Sequence, residues 1–362
     1  MLNFKPLTNL AKELNDSLEF LPHDDVLLPS KDRKVYELKP SNFRKISPAN
    51  TPIKIAFVDG GNGTITKSPN FTISFNRVYY CIFQGKKQVH NTQGLTTDFF
   101  SCIQKRVKGA AKNGIIHDII LRMSRNSHNM DLPDSNDITA ALNNVTFDDP
   151  RIDTLPRSLA EWRLGMIALD ALSDGDVLVM DGSLTTPDKI ESRYANAMFE
   201  KAQSKNVTVC AISKTSRLLT RSGEPLLNRV SDISQQTGYD RWRINVADGV
   251  SPHDPGFVMV VKLHPAARFS FRFEILQEQH QEMDDARINN IMASLVTNSQ
   301  DLSFLGYPYG LVVADRFAQV RKDDIKIYTA MLESRIRTGN LSKIMEHTRI
   351  LQAHDRLNEV TS

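Results

Sequence analysis

Apolar residues occur along this chain in two kinds of run. At 55–58 and again at 177–180 they are consecutive and rich in β-branched residues. Each run stops at an aspartate followed by glycine, Asp59-Gly60-Gly61 in one case and Asp181-Gly182-Ser183 in the other. A short run of this kind predicts a buried strand that carries a carboxylate to a sheet's end, where glycine lets another backbone or a phosphate come close. Elsewhere the spacing is three or four. Leu159, Trp162, Met166, Leu169 and Leu172 predict a helix that opens at Leu155-Pro156-Arg157-Ser158, carries Glu161 and ends at Gly175, directly before the second strand. A helix over 190–205 and a strand over 207–212 continue the alternation and argue for parallel strands.

Around this centre, helical spacing over 7–18 predicts an N-terminal helix, and Pro22, Pro29, Pro40 and Pro48 predict an irregular connector. Segments 64–66, 71–75 and 77–83 predict three antiparallel strands, with turns at Ser68-Pro69-Asn70 and Gln84-Gly85-Lys86-Lys87. Residues 96–150, basic at Lys105, Arg106, Lys108 and Lys112 and then Asp-rich, read as an insertion with helical pieces. Segments 257–263 and 269–276 alternate like an antiparallel pair. Helices are expected at 284–297 and 311–321, with a helical tail from Ile325 onward. The expected organisation is an α/β fold: a connector at 1–50, a domain at 51–325 built on a mixed sheet with flanking helices, and a helical C-terminal part at 326–362.

Length alone, 362 residues, suits one large elaborated domain or two domains. Lys and Arg number 45 against 42 Asp and Glu, a net +3, which neither announces nor excludes a nucleic-acid binder: a basic channel beside an acidic site averages to this. Cys81, Cys102 and Cys210 have no CxxC spacing, so neither a disulfide framework nor a zinc ribbon is supported. The first residues lack a signal-peptide profile, and no apolar run approaches the ~20 residues of a membrane span. A cytoplasmic protein with no membrane association is expected.

The order of the elements carries the chemistry. Early strands with an Asp on the first, a helix bearing a Glu and a next strand ending in Asp form the layout of an RNase H-like core, in which a late helix supplies a fourth ligand. Asp315, in the 311–321 helix, is the candidate for it. Hydrolysis of a phosphodiester asks for a nucleophilic water near neutral pH and for neutralised oxygens, which two divalent ions about 3.5–4 Å apart supply. Four carboxylates, Asp59, Glu161, Asp181 and Asp315, suit Mn²⁺ or Mg²⁺ better than zinc. Taken singly, each Asp-Gly is equally a turn, and Glu161 is equally a helix residue paired with Arg157 at i,i+4. Lys214 follows the strand after Asp181 and belongs on the same sheet edge, where it either steadies a phosphate or is a surface lysine. Arg217, Arg221, Arg229, Arg241 and Arg243 are further phosphate-contact candidates; His253, His264 and His280 have no metal-site spacing.

With these pieces placed, the chain resembles the NurA nuclease family. The resemblance rests on Phe57-Val58-Asp59-Gly60-Gly61, Arg157-Ser158-Leu159-Ala160-Glu161, Val177 to Leu184, Ser213-Lys214-Thr215-Ser216, Val261-Lys262-Leu263, Phe271 to Glu274 and Gly306-Tyr307-Pro308-Tyr309, in order over about residues 50–325. It implies a metal-dependent deoxyribonuclease, typically Mn²⁺-stimulated, with 5′–3′ exonuclease and single-strand endonuclease activity on single-stranded DNA and duplex ends. It further implies a ring-shaped homodimer working with a HerA-type hexameric ATPase in double-strand break end resection for homologous recombination. Position by position, Asp59, Glu161 and Asp181 become the metal carboxylates, and Tyr307 belongs to the functional Tyr-Pro motif. Two departures stand out. Asp315 replaces a histidine that many members carry eight residues after that tyrosine, so metal ligation is expected to survive while metal preference and the histidine's proton-transfer role stay open. Gly61 stands where a serine is common.

Two other classes compete. Asp59 to Thr64 resembles the phosphate-binding hairpin of actin-like and sugar-kinase-like ATPases, with Asp181-Gly182-Ser183 as a second copy, although no Gly-rich adenosine motif follows. The other is a non-catalytic ring subunit that only binds DNA and a motor.

Overall fold

The computed structural model describes residues 5–17, 25–28, 33–48, 53–89, 95–107, 115–126, 129–143, 145–146 and 149–336. In chain order, helix α1 (Lys5–Ser17) precedes strands β1 (Arg44–Lys45), β2 (Lys54–Ser68), β3 (Phe71–Gln84), β4 (Lys87–Gln88), β5 (Leu95–Val107) and β6 (Ile115–Asn126). Helices α2 (Ser135–Ala141) and α3 (Arg151–Ala168) lead to β7 (Val177–Asp181), α4 (Lys189–Ser204) and β8 (Thr208–Ser213). Then come α5 (Leu226–Ser234), β9 (Trp242–Ala247), β10 (Gly256–Lys262), β11 (Phe271–Leu276), α6 (Gln277–Glu282), α7 (Asp285–Asn298), α8 (Tyr309–Ala318) and α9 (Lys322–Arg335). Among the described residues the strands form one mixed sheet in the order β1-β9-β10-β11-β8-β7-β2-β3-β5-β6, with β4 on β3. No helix among these residues is long and apolar enough to cross a membrane.

The two apolar runs pair in parallel, Ile55 with Val177 through Val58 with Met180, and β8 runs parallel to β7. Both faces of these strands are covered, which is why their sequences are apolar without alternation. Ala56, Val58, Leu178 and Met180 enter the core shared with α3 and α4, whereas Phe57 and Val179 enter the core shared with α7 and α8. Asp59 and Asp181 come directly after the last parallel pair, side by side, and continue the series of Phe57 and Val179.

Several expected elements take another form. The first strand does not stop at Asp59: β2 runs on through Gly60-Gly61-Asn62-Gly63 to Ser68, paired with β3 throughout, so 64–66 belongs to the same strand. The turn falls at Pro69-Asn70, and the Asp59-to-Thr64 run is no hairpin. Segments 71–75 and 77–83 are likewise one strand. Asn76, which reads as a break, is fully buried in mid-strand and donates through Nδ2 to Ser101 Oγ at 2.9 Å. The helical pieces expected within 96–150 are chiefly two long strands, β5 and β6, followed by the short α2. Thr97, Phe99, Ser101 and Ile103 all point inward. Two of these four buried positions are polar, which hides the period of two. Helix α5 and strand β9 have no counterpart among the expected elements, whereas the 257–263 and 269–276 pair is present as β10 and β11. The expected N-terminal helix is α1 and the tail begins as α9; Leu18, Lys108, Lys112 and the chain after Ile336 lie outside the described residues.

Candidate metal centre

Three elements distant in sequence converge at the end of the parallel ladder. Asp59 from β2, Asp181 from β7 and Asp315 from α8 each present a carboxylate oxygen, all within 4.8 Å of one another, the first two half-buried and the third exposed. Lys214, just past β8, stands between two of them: its Nζ donates to Asp181 Oδ2 at 2.8 Å and to Asp315 Oδ1 at 2.6 Å. Tyr307, fully buried among Phe271 and Phe304, donates its hydroxyl to Asp181 Oδ1 at 3.2 Å, and Lys214 Nζ lies 5.6 Å over its ring. The Gly60 amide donates to Asp59 Oδ1 at 2.7 Å.

Glu161 is close to this group without being part of it. It reaches the sheet from α3, on the opposite face, and its carboxylate accepts from Arg157 Nη1 one helical turn earlier. Arg157 Nη1 also lies 3.4 Å from the Gly60 carbonyl. Behind it, the buried Glu191 accepts from Ser158 Oγ and from Trp162 Nε1. The local reading of Glu161 as an i,i+4 partner of Arg157 and its tertiary placement beside the site are therefore both true.

Two glycines make this geometry possible. A Cβ on Gly60 would overlap the Glu161 carboxylate, and a Cβ on Gly61 would overlap the Ala318 carbonyl at the end of α8. The absence of side chains on successive residues thus lets Glu161 approach β2 from one face and α8 approach it from the other. The second contact brings Asp315 over the strand, and it accounts for glycine rather than serine at position 61.

The electrostatics are those of a site with surplus negative charge. Burial, and then the charges of Asp181 and Glu161, push the Asp59 carboxyl up to about 8. Burial likewise lifts Glu161 to about 7 against the opposing pull of Arg157. For Lys214, burial works against the charge, but Asp181 and Asp315 outweigh it and hold the ammonium more firmly than usual. Burial and Asp181 keep the Tyr307 hydroxyl protonated and donating. The donor set consists of carboxylates with no thiolate or imidazole, which suits a hard divalent cation such as Mg²⁺ or Mn²⁺.

Other sequence candidates have different partners. Arg229 pairs with Asp25, and the buried Arg243 pairs with Asp285 at 2.7 Å, so both hold carboxylates of this chain. His253 shares a 2.7 Å hydrogen bond with Ser192, and His280 stacks on Phe257. Arg157 was visible in the sequence only as a helix partner of Glu161; its contact with the Gly60 carbonyl has no local signature.

A comparison with curated protein sequences found no match. The family model of the NurA domain matches residues 53–320, which contain all four carboxylates, Lys214 and Tyr307. That match spans well over half of the chain, and the protein belongs to the NurA family of nucleases.

Proposed function

We propose that this protein is a metal-dependent deoxyribonuclease that hydrolyses phosphodiesters at the Asp59, Asp181 and Asp315 cluster. The observation that carries the reading is the convergence of these carboxylates around one ammonium, inside the segment matched by the NurA domain. Mn²⁺ or Mg²⁺, when bound, would generate the nucleophile from water and neutralise the phosphate oxygens. Asp59, Asp181 and Asp315 would hold the cation, with Glu161 joining them on release from Arg157. The chain's own part in the chemistry is positional. The Gly60 amide and the Tyr307 hydroxyl fix one oxygen each of Asp59 and Asp181, while the second oxygen of Asp181 is held by Lys214 and would have to be shared with, or released to, the cation. Lys214 supplies a positive charge at the cluster's edge, suited to a non-bridging phosphate oxygen as negative charge builds on it.

The finer reading follows the family. We propose 5′–3′ exonuclease and single-strand endonuclease activity in double-strand break resection, in the cytoplasm, by a homodimer that works with a HerA-type hexameric ATPase. Apolar residues exposed on α1 (Leu7, Leu10, Leu14) and on α9 (Ile327, Met331) support a larger assembly. With Mn²⁺ the purified protein should degrade single-stranded and linear duplex DNA, and EDTA or Asp59→Ala should abolish it. Degradation that persists in Asp59→Ala overturns the assignment, and light scattering at the 40.8 kDa of one chain overturns the dimer.

A further inference from the structure

Phe317 is an exposed aromatic ring at the rim of the carboxylate cluster, and the fold explains how it is held there. Asp59 and Tyr79 are direct cross-strand partners in the β2–β3 ladder, so their side chains leave the same face about 5 Å apart. Tyr79 is buried. The Phe317 ring stacks on it, with centroids 5.0 Å apart and planes at 21°, yet Phe317 remains 54% exposed. It sits in the last turn of α8, two residues after Asp315, where the absence of a side chain on Gly61 lets that turn close on β2. The cluster is therefore flanked by the Lys214 ammonium on one side and, on the Asp59 side, by a ring with one face fixed by Tyr79.

We propose that Phe317 is a stacking platform for an unpaired nucleobase adjoining the phosphate at the carboxylates. The inference rests on the nuclease reading and adds to it a residue that contacts the base. A ring packed on a buried neighbour loses little conformational freedom on binding, and every base offers it a π-face. In a duplex both faces of an internal base are already stacked, so the platform serves single-stranded or frayed DNA. The amide at Gly60, the hydroxyl of Tyr307 and the ammonium of Lys214 organise the phosphate end of the site, whereas Phe317 reads whether the neighbouring base is free.

The full-length chain tests this directly. Trp162 and Trp242, its two tryptophans, are both buried and so shielded from contact with DNA, and Phe317→Trp adds an exposed indole whose red-shifted emission stands apart from theirs. In EDTA, single-stranded oligo-dT should quench that emission and blunt duplex should not. Phe317→Ala should weaken single-strand binding by about five- to a hundredfold. In Mn²⁺ the loss should appear in KM for single-stranded substrate more than in kcat. Phe317→Leu, which keeps apolar bulk without a π-face, should behave like Phe317→Ala, and Phe317→Tyr should restore binding. Unchanged single-strand affinity in folded Phe317→Ala overturns the platform while leaving the nuclease intact. An indole that is already shielded without DNA and insensitive to it overturns the platform in favour of cover by a second copy or by the chain's own tail. Absence of any DNA binding or cleavage in the unaltered protein overturns both readings.

Discussion

Replacing Asp59 by asparagine should stabilise the metal-free protein while removing its activity. The Asp59 carboxyl titrates at about 8 in the fold and at 3.8 in its ordinary state, because burial and then the charges of Asp181 and Glu161 oppose its ionisation. Below pH 3.8 the group is neutral in both folded and unfolded chains and makes no difference. As the pH rises from 3.8 to about 8 the unfolded chain releases its proton first, so folding stability is progressively lost. At pH 7 this cost reaches a ceiling of about 4 kcal/mol. Asparagine never pays it, keeps nearly the same volume and can still accept from the Gly60 amide. The pull of the Gly60 amide and of Lys214 toward ionisation is already contained in that shift, so the net gain falls below the ceiling only by the poorer fit of the amide and is about 2–4 kcal/mol. Urea unfolding in EDTA at pH 5 and pH 8 measures it: Asp59→Asn should exceed the unaltered chain at both, by more at pH 8. Saturating Mn²⁺ should shift the balance, because a cation that binds only the folded state stabilises by about 2.7 kcal/mol at a hundred times its Kd, and the variant forfeits most of that. A variant less stable than the unaltered chain in EDTA at pH 8 would refute the electrostatic account of the site.

Gly61→Ser places a Cβ against the Ala318 carbonyl; we expect a loss of about 2 kcal/mol in urea unfolding and weaker Mn²⁺ binding by calorimetry, since α8 and Asp315 must move. His280, stacked on Phe257, is held at about 4 by burial and then by Arg243, with Asp248 and Asp285 pulling the other way. Its neutral form belongs to the fold, so this contribution is complete above pH 6.5 and falls away toward pH 4, by about 1 kcal/mol after allowance for its partial exposure. Unfolding free energies of His280→Gln should be correspondingly flatter over that interval, and an unchanged slope would rule the histidine out.

Much of the core was legible because its signals are local. Two consecutive apolar runs predicted buried strands, the helix and strand over 190–212 argued for parallel pairing, and the spacing from Leu159 to Leu172 predicted α3 with Glu161 on it. The same local rules failed at Asn76 and along 95–126. There, polar side chains occupy buried inward positions; the Asn76 amide nitrogen is met by Ser101 on the neighbouring strand, while Asn76 Oδ1 and Thr97 Oγ1 have no hydrogen-bond partner among the described residues. With the alternation broken by polar residues, the charged composition of 96–150 reads as an insertion with helical pieces instead of two strands.

By itself the sequence determined which residues carry carboxylates, that Asp59 and Asp181 follow the paired runs, and that Arg157 lies one turn from Glu161. Only the tertiary structure decided that Asp315 rather than Glu161 completes the close group, that Lys214 bridges two of its members and that Phe317 is seated on Tyr79. The physical reason is that periodicity records which face an element buries, whereas the distance between a helix and a strand depends on what lies between them. Here that is the missing side chains of Gly60 and Gly61, whose effect appears only when Glu161 and Ala318 arrive from a hundred and more residues away.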